Sequence, residues 1–111
     1  MKKYNKYDDI TIQARVSKNY KDRIINKSRE YGITFSDMLF SAFDEQLLRK
    51  SIKTYNFAKK RNDKISLTVT NSFKERINNY CNKYKISKTD FVISALENYI
   101  DRRNNFNVSN K

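Results

Sequence analysis

The chain has 111 residues, about one domain of material, and its 24 Lys and Arg against 12 Asp and Glu leave a net charge of +12 with no histidine. With 38% hydrophobic residues, one Gly and no Pro, it is neither disorder-prone nor rich in tight turns, so long uninterrupted elements, helices foremost, are expected. A lone Cys and no His leave no disulfide, no zinc ligand set and no common general base, which argues against hydrolytic, redox and metal chemistry.

There is also no phosphate-cradling Gly loop and no recognisable pair of carboxylates, so neither an enzyme nor a cofactor is expected. Cys81 fits a reducing compartment, and its place in a helix-periodic stretch reads as a buried thiol rather than a nucleophile. No run approaches the ~18 apolar residues of a membrane span, and the opening MKKYNKYDD lacks the apolar core of a signal peptide. The expectation is a soluble, cytoplasmic protein with no membrane partner. The charge favours a polyanionic partner, nucleic acid ahead of a membrane surface; a merely solubilising basic surface is the alternative.

Residues 1–8 form a basic arm carrying Lys2, Lys3 and Lys6. From there the chain repeats itself: at an offset of 53, ITIQARVSKNYKDRIINKSREYGITFSDMLFSAFDEQLLR aligns with KISLTVTNSFKERINNYCNKYKISKTDFVISALENYIDR, allowing for a ragged first residue. Identities include Ile12 with Ile65, Val16 with Val69, Arg23 with Arg76, Tyr31 with Tyr84 and Ser41-Ala42 with Ser94-Ala95. A unit of roughly 40 residues is at the limit of what buries a core alone, so repeats 9–49 and 62–102 should share one.

Each repeat opens on strict alternation. Ile10, Ile12, Ala14 and Val16 alternate with Thr11, Gln13 and Arg15, and Ile65, Leu67 and Val69 with Lys64, Ser66 and Thr68, the period of a half-buried strand. Alternation ends at Ser17 and Thr70, good N-caps, after which helical spacing predicts helices over 18–31 and 71–84. Gly32 supplies a left-handed stop; Lys85 holds the equivalent place at some conformational cost. Thr34-x-x-Asp37 and Ser87-x-x-Asp90 then cap a second helix in each repeat, with broad apolar stripes through Met38, Leu39, Ala42, Phe43 and Leu47 and through Phe91, Val92, Ala95, Leu96 and Ile100. In the basic linker 50–61, Leu48, Ile52 and Tyr55 continue helical spacing, which predicts that the second helix of repeat one extends into it. In the polar tail 103–111, the Asn-rich end NNFNVSNK is expected to fray.

Strand, helix, helix in a unit too small to fold alone resembles the ribbon-helix-helix superfamily of bacterial, plasmid and phage DNA-binding proteins. ISLTVTNSF followed by KISKTDFVISALENY is especially similar to its CopG-type members, and the two repeats cover most of the chain. Ala14 and Lys85 depart from the family pattern, which usually has a larger core residue and a Gly there. The resemblance implies a mainly α fold with a short two-stranded antiparallel β-ribbon that enters the major groove, and phosphate contacts at the amino ends of the second helices. It implies a tandem ribbon-helix-helix forming an intramolecular pseudo-dimer, as in TraY-like conjugation proteins, monomeric in solution and able to bind cooperatively side by side on DNA.

The base-contacting candidates are Thr11, Gln13, Arg15, Lys64, Ser66 and Thr68. Arg15 and Lys64 suit guanine, Gln13 adenine, and Thr a thymine methyl. If Gln13 and Ser66 meet at the pseudo-dyad, Thr11 faces Thr68 and Arg15 faces Lys64, and an asymmetric or degenerate palindrome is the expected site. An ordinary solvated ribbon face is the alternative. Thr34, Ser36, Ser87, Lys88 and Thr89 put hydroxyls and free N–H groups at helix amino ends, a phosphate site, although capping alone explains Thr34 and Ser87. Of the +12, +9 lies outside the repeats, so the arm and linker, with Lys59, Lys60 and Arg61, would supply salt-sensitive phosphate affinity unless they are simply solvated.

The leading functional expectation is thus a sequence-specific double-stranded DNA-binding protein, a transcriptional repressor or a plasmid or phage accessory factor. The alternatives are an antitoxin-like interaction module, for which the nine residues after 102 are a short appendage, and an RNA or single-strand binder stacking bases on Tyr4, Tyr7, Tyr55, Phe57 and Phe106.

Overall fold

A computed structural model describes residues 10–49, 52 and 62–109, with side chains as far as Asn104. The elements run β1 (Ile10–Val16), α1 (Lys18–Tyr31), α2 (Phe35–Leu47), β2 (Asp63–Val69), α3 (Asn71–Tyr84) and α4 (Lys88–Ser109). The fold is mainly helical, with one two-stranded antiparallel sheet among the described residues. No helix among them is long and apolar enough to cross a membrane.

Alternation in sequence becomes alternation in space. Ile12, Ala14, Val16, Ile65, Leu67 and Val69 are all buried beneath the ribbon, while the residues between them are exposed or half-buried. Strand extension ends where a side-chain oxygen takes over the first free helical N–H. Ser17 Oγ accepts from Tyr20 N–H at 3.0 Å and Thr70 Oγ1 from Phe73 N–H at 3.2 Å, which starts α1 and α3 at the positions the caps predict. Under the ribbon, α2 and α4 pack against each other, with Phe43 and Phe91 tilted at 5.7 Å, and α4 also lies against β1. Phe91 through Ile100 is buried on every side, so α4 is the central helix.

The offset of 53 recurs in the contacts. Arg23 of α1 pairs with Glu97 of α4 at 2.7 Å, and the residues 53 places away pair likewise, Arg76 of α3 with Asp44 of α2 at 3.9 Å. Arg23 also lies over Tyr20 at 5.9 Å and Arg76 over Phe73 at 5.6 Å. The first helix of each half therefore holds the second helix of the other half. The two contacts differ in depth: the Tyr20 hydroxyl also donates to Glu97, at 2.7 Å, whereas Phe73 has no hydroxyl to offer Asp44. The Glu97 hydrogen bond is the leading reason that the Arg23 guanidinium is held above its ordinary pKa.

Both first helices close through a left-handed residue, and Ile33 and Ile86 N–H groups donate back to the Ser28 and Cys81 carbonyls, each at 3.0 Å. Gly32 has φ +71°, and a Cβ there would meet nothing within 4 Å, so the backbone angle alone calls for glycine. Lys85 takes φ 57° with a side chain attached. Left-handed geometry costs an L-residue about 1–2 kcal/mol, of which glycine's freer unfolded chain returns part, so Lys85→Gly should stabilise the protein by about 0.5–1 kcal/mol. Denaturant unfolding checks this, and a destabilised variant would refute it. Nearby, burial pushes the Cys81 thiol up from its usual pKa, and its Sγ lies 3.9 Å from the Ser87 carbonyl, the setting of an inert core thiol.

Two expectations fail at the helix ends. The second helix of repeat one does not continue through Leu48: α2 stops at Leu47, Leu48 sits at φ −94°, ψ 0° and is 80% exposed, and Ile52 is non-helical, its side chain packed on the core. Leu48 and Arg49 N–H groups bond three residues back, to Glu45 and Gln46, which tightens the last turn, and the Tyr80 hydroxyl donates to the Arg49 carbonyl at 2.7 Å. Tyr55 and the rest of the linker lie outside the described residues. Conversely the Asn-rich end is helical as far as Ser109, where α4 ends. Arg102 reaches Glu45 at 3.0 Å, and Arg103 lies over the Tyr31 ring at 4.2 Å while donating to the Tyr99 hydroxyl at 3.0 Å.

Candidate nucleic-acid interface

Because side chains alternate across a strand, the six candidate readers share the outer face of the ribbon, and Thr11, Gln13, Arg15, Lys64, Ser66 and Thr68 are all exposed. The register pairs Gln13 with Ser66 at the centre, Thr11 with Thr68 on one side and Arg15 with Lys64 on the other. Ser66 is the residue 53 places after Gln13, so the ribbon is centred on equivalent positions of the two halves.

Charge on this face is concentrated at one end. Arg15 and Lys64 are cross-strand neighbours, an arrangement that is destabilising unless something anionic meets it. Asp63, next to Lys64 in the strand, lies 3.6 Å from Lys21, and Asp22 lies 3.1 Å from Lys18. Asp63 also accepts from the Lys64 N–H at 2.8 Å, which is the main reason its pKa falls below the ordinary carboxylate value, with Lys21 and Lys18 adding to the effect. No ion pair among the described residues neutralises Arg15 or Lys64. Asn62, whose Oδ1 accepts from the Lys18 N–H at 3.1 Å, lines a shallow recess with Arg15, Asp63 and Lys64.

At the helix amino ends, Thr34 Oγ1 accepts from Asp37 N–H and Ser87 Oγ from Asp90 N–H, each at 3.0 Å. Both hydroxyls thus act as caps, and the acid three residues on answers the positive helix end from within the chain. Ser36 is exposed, and Lys88 and Thr89 are half-buried, so α4 offers a cation in its first turn where α2 has Phe35. Lys2, Lys3, Lys6, Lys59, Lys60 and Arg61 lie outside the described residues, as do Tyr4, Tyr7, Tyr55 and Phe57 and the side chain of Phe106.

Sequence reasoning missed one exposed aromatic. Phe40, on the apolar stretch of α2, is 49% exposed and stacks on Phe73 at 5.0 Å, beside a groove that also includes Thr68, Val69 and Arg76. Its equivalent in the other half, Ile93, is buried, so periodicity alone gave no signal of the difference. Comparison of the chain with protein-family models, with curated proteins and with solved structures returned no match.

Proposed function

We propose that the chain is a tandem ribbon-helix-helix protein whose two copies fold as an intramolecular pseudo-dimer, and that it binds double-stranded DNA sequence-specifically in the cytoplasm, as a transcriptional repressor or a plasmid or phage accessory factor. The observation that carries this reading is the outer face of the ribbon: six polar side chains, all exposed and in register about Gln13 and Ser66, with two cations that no carboxylate among the described residues neutralises. A major groove about 12 Å wide admits a two-stranded ribbon and presents each base pair with a distinct pattern of donors and acceptors. The Arg23–Glu97 and Arg76–Asp44 contacts, related by the offset of 53, support the pairing of two equivalent copies. Phosphate contacts fall to Ser36, Lys88, Thr89 and the capped helix ends, and to the basic arm and linker.

The test is an in vitro selection from random duplex DNA at near-physiological salt, with the mass of the free protein measured by light scattering. An enriched motif bound by a monomer, or by monomers arrayed side by side, is the expected result. Arg15→Ala should then cost about 1–3 kcal/mol on that motif and relax the preference at one base pair. Equal weakening on every sequence would place Arg15 among the phosphate contacts. Tight binding that collapses with salt and enriches nothing would overturn the reading in favour of a non-specific or single-strand binder.

A further inference from the structure

Across the offset of 53, Thr11 corresponds to Lys64 and Arg15 to Thr68, so each equivalent pair consists of one cation and one threonine. A homodimer would place the same two residue types at both ends of its ribbon. Here the antiparallel register brings the cation of each pair to the same end, Arg15 beside Lys64, and the threonine of each pair to the other, Thr11 beside Thr68. The two exchanges act in the same direction: one end carries two positive charges, the other none, and Gln13 and Ser66 separate them.

The local surroundings keep that difference. At the cationic end, Asp22 and Asp63 pair with Lys18 and Lys21, and no ion pair among the described residues involves the exposed Arg15 and Lys64. At the hydroxyl end the ribbon's outer face carries no cation, and the groove onto which Thr68 opens holds Phe40, Phe73 and Arg76, the last 3.9 Å from Asp44. From Thr11 to Arg15 the strand advances about 13 Å, which matches about four base pairs at 3.4 Å each, so the two ends meet different base pairs.

We infer that the ribbon binds its duplex in a single orientation, with guanines recognised beneath Arg15 and Lys64 and thymine-bearing A·T pairs beneath Thr11 and Thr68. This inference rests on the DNA-binding reading. Guanine presents O6 and N7 together in the major groove, two acceptors that suit a guanidinium or an ammonium, and it is the base that best relieves the Arg15–Lys64 repulsion. A threonine offers an adaptable hydroxyl and a methyl that packs against the thymine methyl. An inverted repeat of equal halves is then a poor site, because one of its halves always meets the wrong end of the ribbon.

Selections run in parallel on the wild type and on two double variants test this. The wild type should enrich a motif with guanine on one side only. Arg15→Thr with Lys64→Thr should remove that guanine and reduce discrimination there at least tenfold, while the A·T half persists. Thr11→Lys with Thr68→Arg should convert the enriched site to an inverted repeat with guanine on both sides. All four positions are exposed, so circular dichroism should report an unchanged fold. A wild-type motif with equal halves, or a guanine preference that survives loss of both cations, would overturn the single orientation while leaving sequence-specific binding intact. Absence of any enriched motif would overturn the DNA-binding reading itself.

Discussion

Phe91→Ala is expected to cost about 3–5 kcal/mol, the range for truncating a fully buried aromatic, out of the roughly 5–15 kcal/mol that holds a domain together. Phe91 lies in the first turn of α4, is 0% exposed, and touches two further rings: Phe43 of α2 at 5.7 Å and Tyr80 of α3 at 5.4 Å, edge-on. Its side chain therefore fills the junction of three helices. Truncation would leave a void whose walls are helices already tied by the ribbon above them, so little collapse can fill it. Denaturant unfolding should show a lower midpoint with an unchanged slope. Phe40→Ala provides the contrast, since its ring is 49% exposed and packs mainly on Phe73; its loss should stay near 1 kcal/mol or less. Similar costs at the two positions would mean that the helix junction is not the centre of the core.

The difference between Phe40 and Phe91 also marks how far the sequence could be read. Strand and first-helix bounds were legible because each rests on a local switch: alternation gives way at Ser17 and Thr70, whose oxygens take the Tyr20 and Phe73 N–H groups. The ribbon register was legible only as a condition, that the equivalent Gln13 and Ser66 meet at the centre, and the structure pairs them so. What stayed hidden depends on contacts made across the chain. Leu48 continues the apolar spacing, yet α2 ends before it because the Tyr80 hydroxyl, 31 residues away, holds the Arg49 carbonyl. The Asn-rich tail offers no apolar stripe, yet α4 is continued past Asp101 by Arg102 and Arg103, which grip Glu45, Tyr99 and Tyr31. Equivalent positions differ for the same reason. Tyr20 and Arg23 both reach Glu97 and keep that side chain 9% exposed, whereas Phe73 stacks on Phe40 and leaves the Arg76–Asp44 pair long and half-exposed. For the candidate interface, the outer-face residues followed from alternation, but the pairing of Asp22 and Asp63 with lysines, and the lack of an ion pair to Arg15 or Lys64 among the described residues, required the three-dimensional arrangement.

A polar thread through the same helix junction gives the second large effect. Gln46, 1% exposed, donates from Nε2 to the Tyr80 hydroxyl at 2.9 Å and accepts at Oε1 from Asn98 Nδ2 at 2.8 Å, while the Tyr80 hydroxyl donates to the Arg49 carbonyl at 2.7 Å. Burial is the main reason that the Tyr80 phenol has a raised pKa, although the Gln46 hydrogen bond works against it, so the phenol stays protonated as the donor this chain requires. Gln46→Leu keeps the volume but removes both bonds. Taking away the Asn98 partner in a buried site costs about 1–3 kcal/mol and the bond to Tyr80 about 1 more, so about 2–4 kcal/mol is expected in denaturant unfolding. Asn98→Leu alone should likewise destabilise, by leaving Gln46 Oε1 without that donor. When both residues are leucine, the Gln46–Asn98 bond is replaced by apolar contact, so the double variant should lose clearly less than the two single losses added together. Strict additivity would mean that Gln46 and Asn98 act independently. Recovery in the double variant would show that the two amides are coupled across the α2–α4 contact, each loss being costly because it strands the partner in the core.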